Sequence, residues 1–260
     1  MANQLNSALD LSGHTALITG GGTGVGFGIA RVLHACGATV VLIGRSEAHA
    51  ESAAELGDRA GALAADISVE SDCDRVVRET GAQWGEPDIL VNCAAAKPVS
   101  FDGALNQRME DWQRAMDVSL RGTYQMCRAA GAVMVEKGRG SIVNISSIGG
   151  FRPLGADMAY TTSKAGVHMI TRNLACQWGP QGVRVNCVAV GHMEAGMAVD
   201  EDVQDLLKGA PDFAALLGPT PLQRAGTPEE IGWPVAFLVS ERASYVNGAI
   251  LVVDGGQLAL

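Results

Sequence analysis

Seven short runs rich in β-branched and aliphatic residues recur along the chain: Thr15 to Thr19, Thr39 to Ile43, Gly61 to Ala65, Ile89 to Asn92, Ser141 to Ile145, Val183 to Val190 and Ile250 to Val253, the third being the weakest. They read as continuous apolar runs, and the segments between them are long enough for helices and carry helical periodicity. A strand that is apolar on both faces must be covered on both faces, which is the condition of a parallel sheet crossed by helices. The expected fold class is α/β, with a doubly wound, mostly parallel sheet. At 260 residues the chain is long for one domain, yet open sheets of this kind reach that size, so a single domain over 1–260 is expected.

Composition narrows the function classes. With 47% hydrophobic and 18% charged residues there is material for a large core and no sign of disorder. A net charge of −9 offers none of the clustered Lys and Arg that nucleic-acid binding requires, so no nucleic-acid partner is expected. No apolar stretch approaches the roughly 18 residues of a membrane span, and the N-terminus lacks a basic region followed by an apolar run. No membrane partner and a cytoplasmic location are therefore expected. Six cysteines lie scattered without a CxxC pair or a Cys/His cluster, so no metal site is read. They read as small buried hydrophobes, with Cys93 set apart by its place at a strand end.

Helix signals are local. Gly24 to Cys36 places Val25, Ile29, Val32 and Leu33 on one side, with Gly37 where a left-handed cap would follow. Thr227-Pro228-Glu229-Glu230 supplies a cap, a proline in the first helical position and two acids in the first turn. His192 to Gly226 is the least regular region, with a short helix-like stretch from Glu201 to Lys208, and is expected to be a mobile loop.

The first strand runs into Thr19-Gly20-Gly21-Gly22-Thr23-Gly24-Val25-Gly26. A tight strand-to-helix turn needs one or two glycines; five in seven residues suit the close approach of a pyrophosphate to a helix N-terminus with unpaired N–H groups. A dinucleotide cofactor and a Rossmann-type fold are expected. An acid at the end of strand two would bind the adenosine ribose and repel a 2′-phosphate, whereas this chain has Gly44-Arg45. The expected cofactor is NADP(H) in preference to NAD(H), with Arg45 and Ser46 at the phosphate.

Tyr160-Thr161-Thr162-Ser163-Lys164 opens a helical stretch to about Trp178, and a spacing of four sets the phenol and the ammonium on one face. A cation close to a phenol stabilises the phenolate and lowers its pKa from about 10, toward what a general acid or base needs. YxxxK alone occurs by chance. Ser147, just past the strand Ser141 to Ile145, falls at the ligand-facing end of the sheet, where a hydroxyl can hydrogen-bond a substrate oxygen; the neighbouring Ser146 is the alternative.

The spacing TGxxxGxG through Thr19, Gly20, Gly24 and Gly26, together with Asn92, Ser147, Tyr160, Lys164, the strand Val183-Arg184-Val185-Asn186 and the closing Val252-Val253-Asp254-Gly255-Gly256, resembles the short-chain dehydrogenase/reductase family over nearly the whole chain. The resemblance implies that Tyr160 donates or accepts the proton, that Ser147 positions the substrate oxygen and that Lys164 also holds the nicotinamide ribose. It places Asp66 at the adenine amino group, and Asn92 and Gly191 beside the cofactor. It further implies a homotetramer or homodimer built on the long helices near Asp111 to Glu136 and Ala159 to Trp178.

Four positions depart from the family pattern. Ser119 stands where an asparagine usually completes the catalytic set, keeping a hydroxyl that can hold a water. NNAG reads Asn92-Cys93-Ala94-Ala95, PG reads Val190-Gly191, and a threonine expected four residues after Gly191 is Ala195. The leading expectation is reduction of a ketone, enone or related small molecule. Phe151 to Met158 and the loop with Met193, Met197, Phe213, Leu216 and Leu217 point to an apolar or aromatic substrate; packing of that loop on the sheet explains the same residues. The alternatives are a non-catalytic dinucleotide-binding scaffold or regulatory protein, motivated by the four departures, and an NAD-dependent alcohol dehydrogenase.

Overall fold

A computed structural model describes residues 9–96, 105–153, 158–194 and 220–260. In chain order its main elements are β1 (Thr15–Thr19), α1 (Gly24–Ala35), β2 (Thr39–Gly44), α2 (Ala48–Leu56), β3 (Ala60–Ala64), α3 (Glu70–Trp84) and β4 (Ile89–Asn92). After them come α4 (Met109–Ala115), a π-helical segment (Met116–Gly122), α5 (Thr123–Lys137), β5 (Gly140–Ser147), α6 (Met158–Trp178), β6 (Val183–Val190), α7 (Pro228–Val239) and β7 (Ile250–Val253).

The seven strands form one parallel sheet in the order β3-β2-β1-β4-β5-β6-β7. Their side chains alternate between two cores. Ala16, Ile18, Val40, Leu42, Ile89, Val91 and Val143 pack with α1 and α7, whereas Leu17, Val41, Ile43, Leu90 and Ile142 pack with α3, α5 and α6. Because both faces are covered, the apolar runs need no polar alternation, and each fully buried Val, Leu or Ile contributes about 1.5 to 3 kcal/mol. The strand order reverses between β1 and β4, and the crevice beyond the carboxyl ends of these strands is where a ligand fits.

Several boundaries differ from the sequence reading. β5 runs on to Ser147, which is its last residue instead of lying past its end. The span Asp111 to Glu136 is broken: α4 and α5 are joined by a π segment that contains Ser119. An extra residue per turn re-aims the side chains that follow, and such segments concentrate at functional sites. The capping expected at Thr227 is present, its N–H donating to Glu230 Oε2 at 2.8 Å. Of the expected loop 192–226, positions 195–219 lie outside the described residues, as do Ala195, Met197, Phe213, Leu216, Leu217 and the stretch 201–208. No helix among the described residues is long and apolar enough to cross a membrane.

Candidate active site

β1 hands over to α1 through a turn shaped by close approach. Gly20 adopts φ +66°, donates its N–H to Ile43 O at 2.7 Å, and leaves only 3.0 Å between an added Cβ and the backbone of Ala94. Gly24 has φ +51°, and a Cβ on Gly26 would stand 2.1 Å from Gly20 O. These three positions keep the turn tight and its outer face bare. Gly21 and Gly22 have a different cause: an added Cβ would meet Ile18 O and Leu42 at 2.9 Å, or His49 at 2.8 Å. The first turn of α1 holds no acid, and the Thr23 side chain caps none of its N–H groups, which leaves the positive end of the helix available to an anion.

Thr19 points elsewhere. Its buried hydroxyl accepts the N–H groups of Cys93 at 3.1 Å and Ala94 at 3.2 Å, tying the ends of β1 and β4 together. Asn92 is likewise directed into the protein: its Nδ2 donates to Asn144 Oδ1 at 2.9 Å and to Cys127 Sγ at 3.2 Å, and Asn144 Nδ2 donates to Thr171 Oγ1 at 3.0 Å. Both were expected to touch the cofactor. Their side chains instead hold in place the backbone that lines the crevice.

At the far end of the crevice Arg45 and Asp66 approach to 3.8 Å, and Asp66 Oδ1 accepts the Ser68 hydroxyl at 2.7 Å and N–H at 2.9 Å. The Ser68 hydroxyl, outweighing the desolvation of the carboxyl, holds Asp66 below the usual carboxylate range. Arg45, Asp66, Ser68, Gln113, Asp117 and Val118 are among the residues lining a cavity of about 680 Å³. Ser46 is exposed, and its carbonyl faces the His49 ring.

Toward the middle of the sheet, Ser147 stands close enough to the Tyr160 phenol to act on it, and Ser147 Oγ accepts the Gly149 N–H at 3.0 Å. Lys164 lies one helical turn after Tyr160, its Nζ 5.7 Å from the ring centroid and donating to Ile145 O at 3.0 Å. Ser146 points to the other face of β5 and donates its hydroxyl to Lys164 O at 3.1 Å, so Ser147 is the serine that meets the phenol. The expected lowering of the Tyr160 pKa is not found here. Burial pushes the phenol up to about 12 despite the Ser147 hydrogen bond. Lys164 is itself pulled down by burial, and its Nζ lies 5.7 Å from the ring centroid, so it does not offset the phenol's loss of hydration. Cys93 stands close enough to feel Lys164, and burial raises its thiol to about 11.

Ser119, buried in the π segment, accepts the Ala96 N–H at 3.0 Å through its hydroxyl and the Thr123 hydroxyl at 2.9 Å through its carbonyl. Gly191 closes the other side of the crevice: its N–H donates to Val253 O at 3.0 Å, and a Cβ there would stand 2.6 Å from Asp254. The bare glycine turn, the uncapped helix start and the adjoining cavity fit a dinucleotide.

A family model described as enoyl-(acyl carrier protein) reductase matches residues 20–257. The chain is 39% identical over 255 residues to a galactitol 2-dehydrogenase of Rhizobium johnstonii, covering 95% of each chain. It belongs to the short-chain dehydrogenase/reductase family. It is also 35% identical to a 3-oxoacyl-[acyl-carrier-protein] reductase of Chlamydia muridarum, over 93% of this chain and 96% of that one. Among solved structures it resembles a gluconate 5-dehydrogenase of Burkholderia cenocepacia in complex with NADP and tartrate, with a TM-score of 0.89, 30% identity, and 98% and 99% of the two chains covered. As a short-chain dehydrogenase/reductase, this chain is an oxidoreductase that moves hydride between a nicotinamide dinucleotide and a small molecule.

Within that family frame the sequence missed three features of the site. Ser68 fixes Asp66, Asn144 and Thr171 support Asn92, and His49 packs beneath the glycine turn. Asn144 was visible only as a polar residue inside an apolar strand, a signal that marks a buried hydrogen-bonding position. His49 gave no signal, since a histidine in the first turn of an amphipathic helix is commonplace.

Proposed function

We propose that the chain reduces a small carbonyl compound with NADPH, or runs the reverse oxidation of the alcohol, and that Ser147, Tyr160 and Lys164 carry the proton chemistry. The observation that supports this reading is the Tyr160 phenol facing Ser147 at the ligand end of β5, with Lys164 Nζ one helical turn away and 5.7 Å from the ring centroid. A nicotinamide dinucleotide held along the glycine turn by Gly20, Gly24 and Gly26 would supply or take up the hydride. Ser147 hydrogen-bonds the substrate oxygen as charge develops on it, and Tyr160 transfers its O–H proton to that oxygen. In the oxidising direction the phenolate accepts the alcohol proton. Lys164, anchored on Ile145 O, holds its amino group beside the ring and offers its remaining N–H groups to the nicotinamide ribose.

Preference for NADP(H) rests on Arg45 at the mouth of the adenosine cavity and on the lack of an acid at Gly44. Thr19 and Asn92 act behind the cofactor, whereas Gly20, Gly24, Gly26, Arg45, Ser46, Asp66 and Gly191 line it. α5 and α6 expose Tyr124 and Met169, in keeping with assembly into a homotetramer or homodimer. For the substrate, exposed Phe151 and Met158 near the Ser147–Tyr160 pair favour an apolar or aromatic ketone. A second reading, a polyol or keto-sugar substrate, is favoured by the likeness to galactitol 2-dehydrogenases.

The test is consumption of NADPH and NADH over a panel of aromatic ketones, enones and keto-sugars, with wild type and Tyr160→Phe side by side. The expected result is NADPH-dependent turnover that Tyr160→Phe abolishes. Undiminished turnover in the variant overturns the mechanism, and tight NADPH binding without turnover on any carbonyl favours the scaffold alternative.

A further inference from the structure

His49 sits in the first turn of α2 with its ring between two glycines. A Cβ on Gly44 would stand 1.8 Å from Nε2 and 1.9 Å from Cε1, and on the other side a Cβ on Gly22 would stand 2.8 Å from His49 Cα and Cγ. The ring is pinned at its near edge, where Nδ1 lies 3.3 Å from Ser46 O. That carbonyl can only accept, so the proton is on Nδ1 and Nε2 is a bare acceptor. Nε2 is buried without a hydrogen-bond partner. α2 cannot easily swing away, because Ser52 Oγ donates to Gly22 O at 2.8 Å and ties the helix to the glycine turn.

Position 44 ends β2, where an acid would bind the adenosine ribose hydroxyls and reject a 2′-phosphate. We propose that His49 is a specificity-determining positioning residue whose ring occupies the space any side chain at position 44 would need, and so excludes the acid that would select the unphosphorylated dinucleotide. This rests on the reading that the chain prefers NADP(H). Two observations point away from a purely structural ring. An unpartnered buried acceptor weakens folding, so an apolar side chain would pack here at less expense. Burial also holds the imidazole below its usual range, which disfavours the charged form that would attract the phosphate. Attraction is left to Arg45, and His49 acts by keeping position 44 free of any side chain.

The experiment is a double-mutant cycle read by equilibrium titration of NADPH and NADH and by thermal melting. Gly44→Ala in the wild-type background should weaken NADPH binding by about tenfold or more and lower the melting temperature, as an overpacked methyl does. In a His49→Ala background the same methyl should change either quantity little. Gly44→Asp alone should gain no NADH affinity, whereas Gly44→Asp with His49→Ala should raise the NADH-to-NADPH affinity ratio by about tenfold or more. A methyl that costs the same in both backgrounds, or an NADH gain from Gly44→Asp alone equal to that of the double variant, overturns the proposal. If the aspartate variants do not fold, the alanine pair gives the same decision. Wild type that binds NADH as tightly as NADPH overturns the cofactor reading, and the methyl comparison still decides the Gly44–His49 coupling by itself.

Discussion

Gly26→Ala separates the binding role of the glycine turn from its packing role. A methyl at position 26 would stand 2.1 Å from Gly20 O, about 1.4 Å short of the roughly 3.5 Å at which nonbonded heavy atoms begin to attract. Gly20 cannot retreat freely, since its N–H is held by Ile43 O at 2.7 Å. The turn must therefore open at the face that meets the pyrophosphate. Overpacking of this kind costs about 1 to 3 kcal/mol, which in a domain of this size lowers the melting temperature by about 2 to 4 °C per kcal/mol. Gly28→Ala is the control, because its methyl would stand 2.3 Å from the Pro228 side chain on α7, with similar overlap but away from the crevice. Thermal melting should show a comparable loss for both variants. Titration with NADPH should show at least about a tenfold loss for Gly26→Ala alone. Normal NADPH affinity in Gly26→Ala, or an equal loss in Gly28→Ala, would refute the assignment of this turn to the cofactor.

Tyr160→Phe should reduce turnover by about 10² to 10⁴-fold while leaving NADPH affinity within a few-fold, measured by steady-state kinetics and titration. Ser119→Ala removes the acceptor for the buried Ala96 N–H and should cost about 1 to 3 kcal/mol, read by denaturant unfolding; an unchanged midpoint would show that the hydroxyl does not hold the end of β4. Asp88, nearly buried, accepts from Lys137 at 2.9 Å and pairs with His14, and these partners outweigh burial to hold its carboxyl well below the usual range. The sign follows: this carboxylate stabilises the fold above its unfolded pKa of about 4, and the contribution disappears as pH falls through the lower folded value. His14, raised chiefly by Asp88 at 3.7 Å, works the other way, its contribution being full below about pH 6.5 and lost as pH rises through the folded value. Asp88→Asn should therefore destabilise by about 3 kcal/mol at neutral pH and flatten both dependences, and a melting curve against pH that matches wild type would refute it.

The relation between sequence and site differs from residue to residue. Tyr160 and Lys164 were legible because a spacing of four on a helix fixes their proximity without reference to anything else. Ser147 was legible because the chain leaves its strand at the ligand end of the sheet, although the strand reaches two residues further than its apolar pattern suggested. The phenol's acidity was not legible: it is decided by how much water the fold removes, and desolvation outweighs a cation lying over the ring.

Amino-acid order alone determined what local geometry can express: seven apolar runs that need cover on both faces, a glycine turn between strand and helix, and a tyrosine and a lysine on one turn of α6. Only tertiary structure decided which side chains from distant segments meet. Thr19 serves the β4 end 74 residues away, Asn92 meets Asn144 across 52 residues, and Ser119 holds Ala96 across 23. Periodicity depends on backbone dihedrals that neighbouring residues share, whereas the partner of a buried hydroxyl, amide or imidazole depends on sheet order and helix packing. His49 between Gly22 and Gly44 is the clearest case, a contact with no local signature.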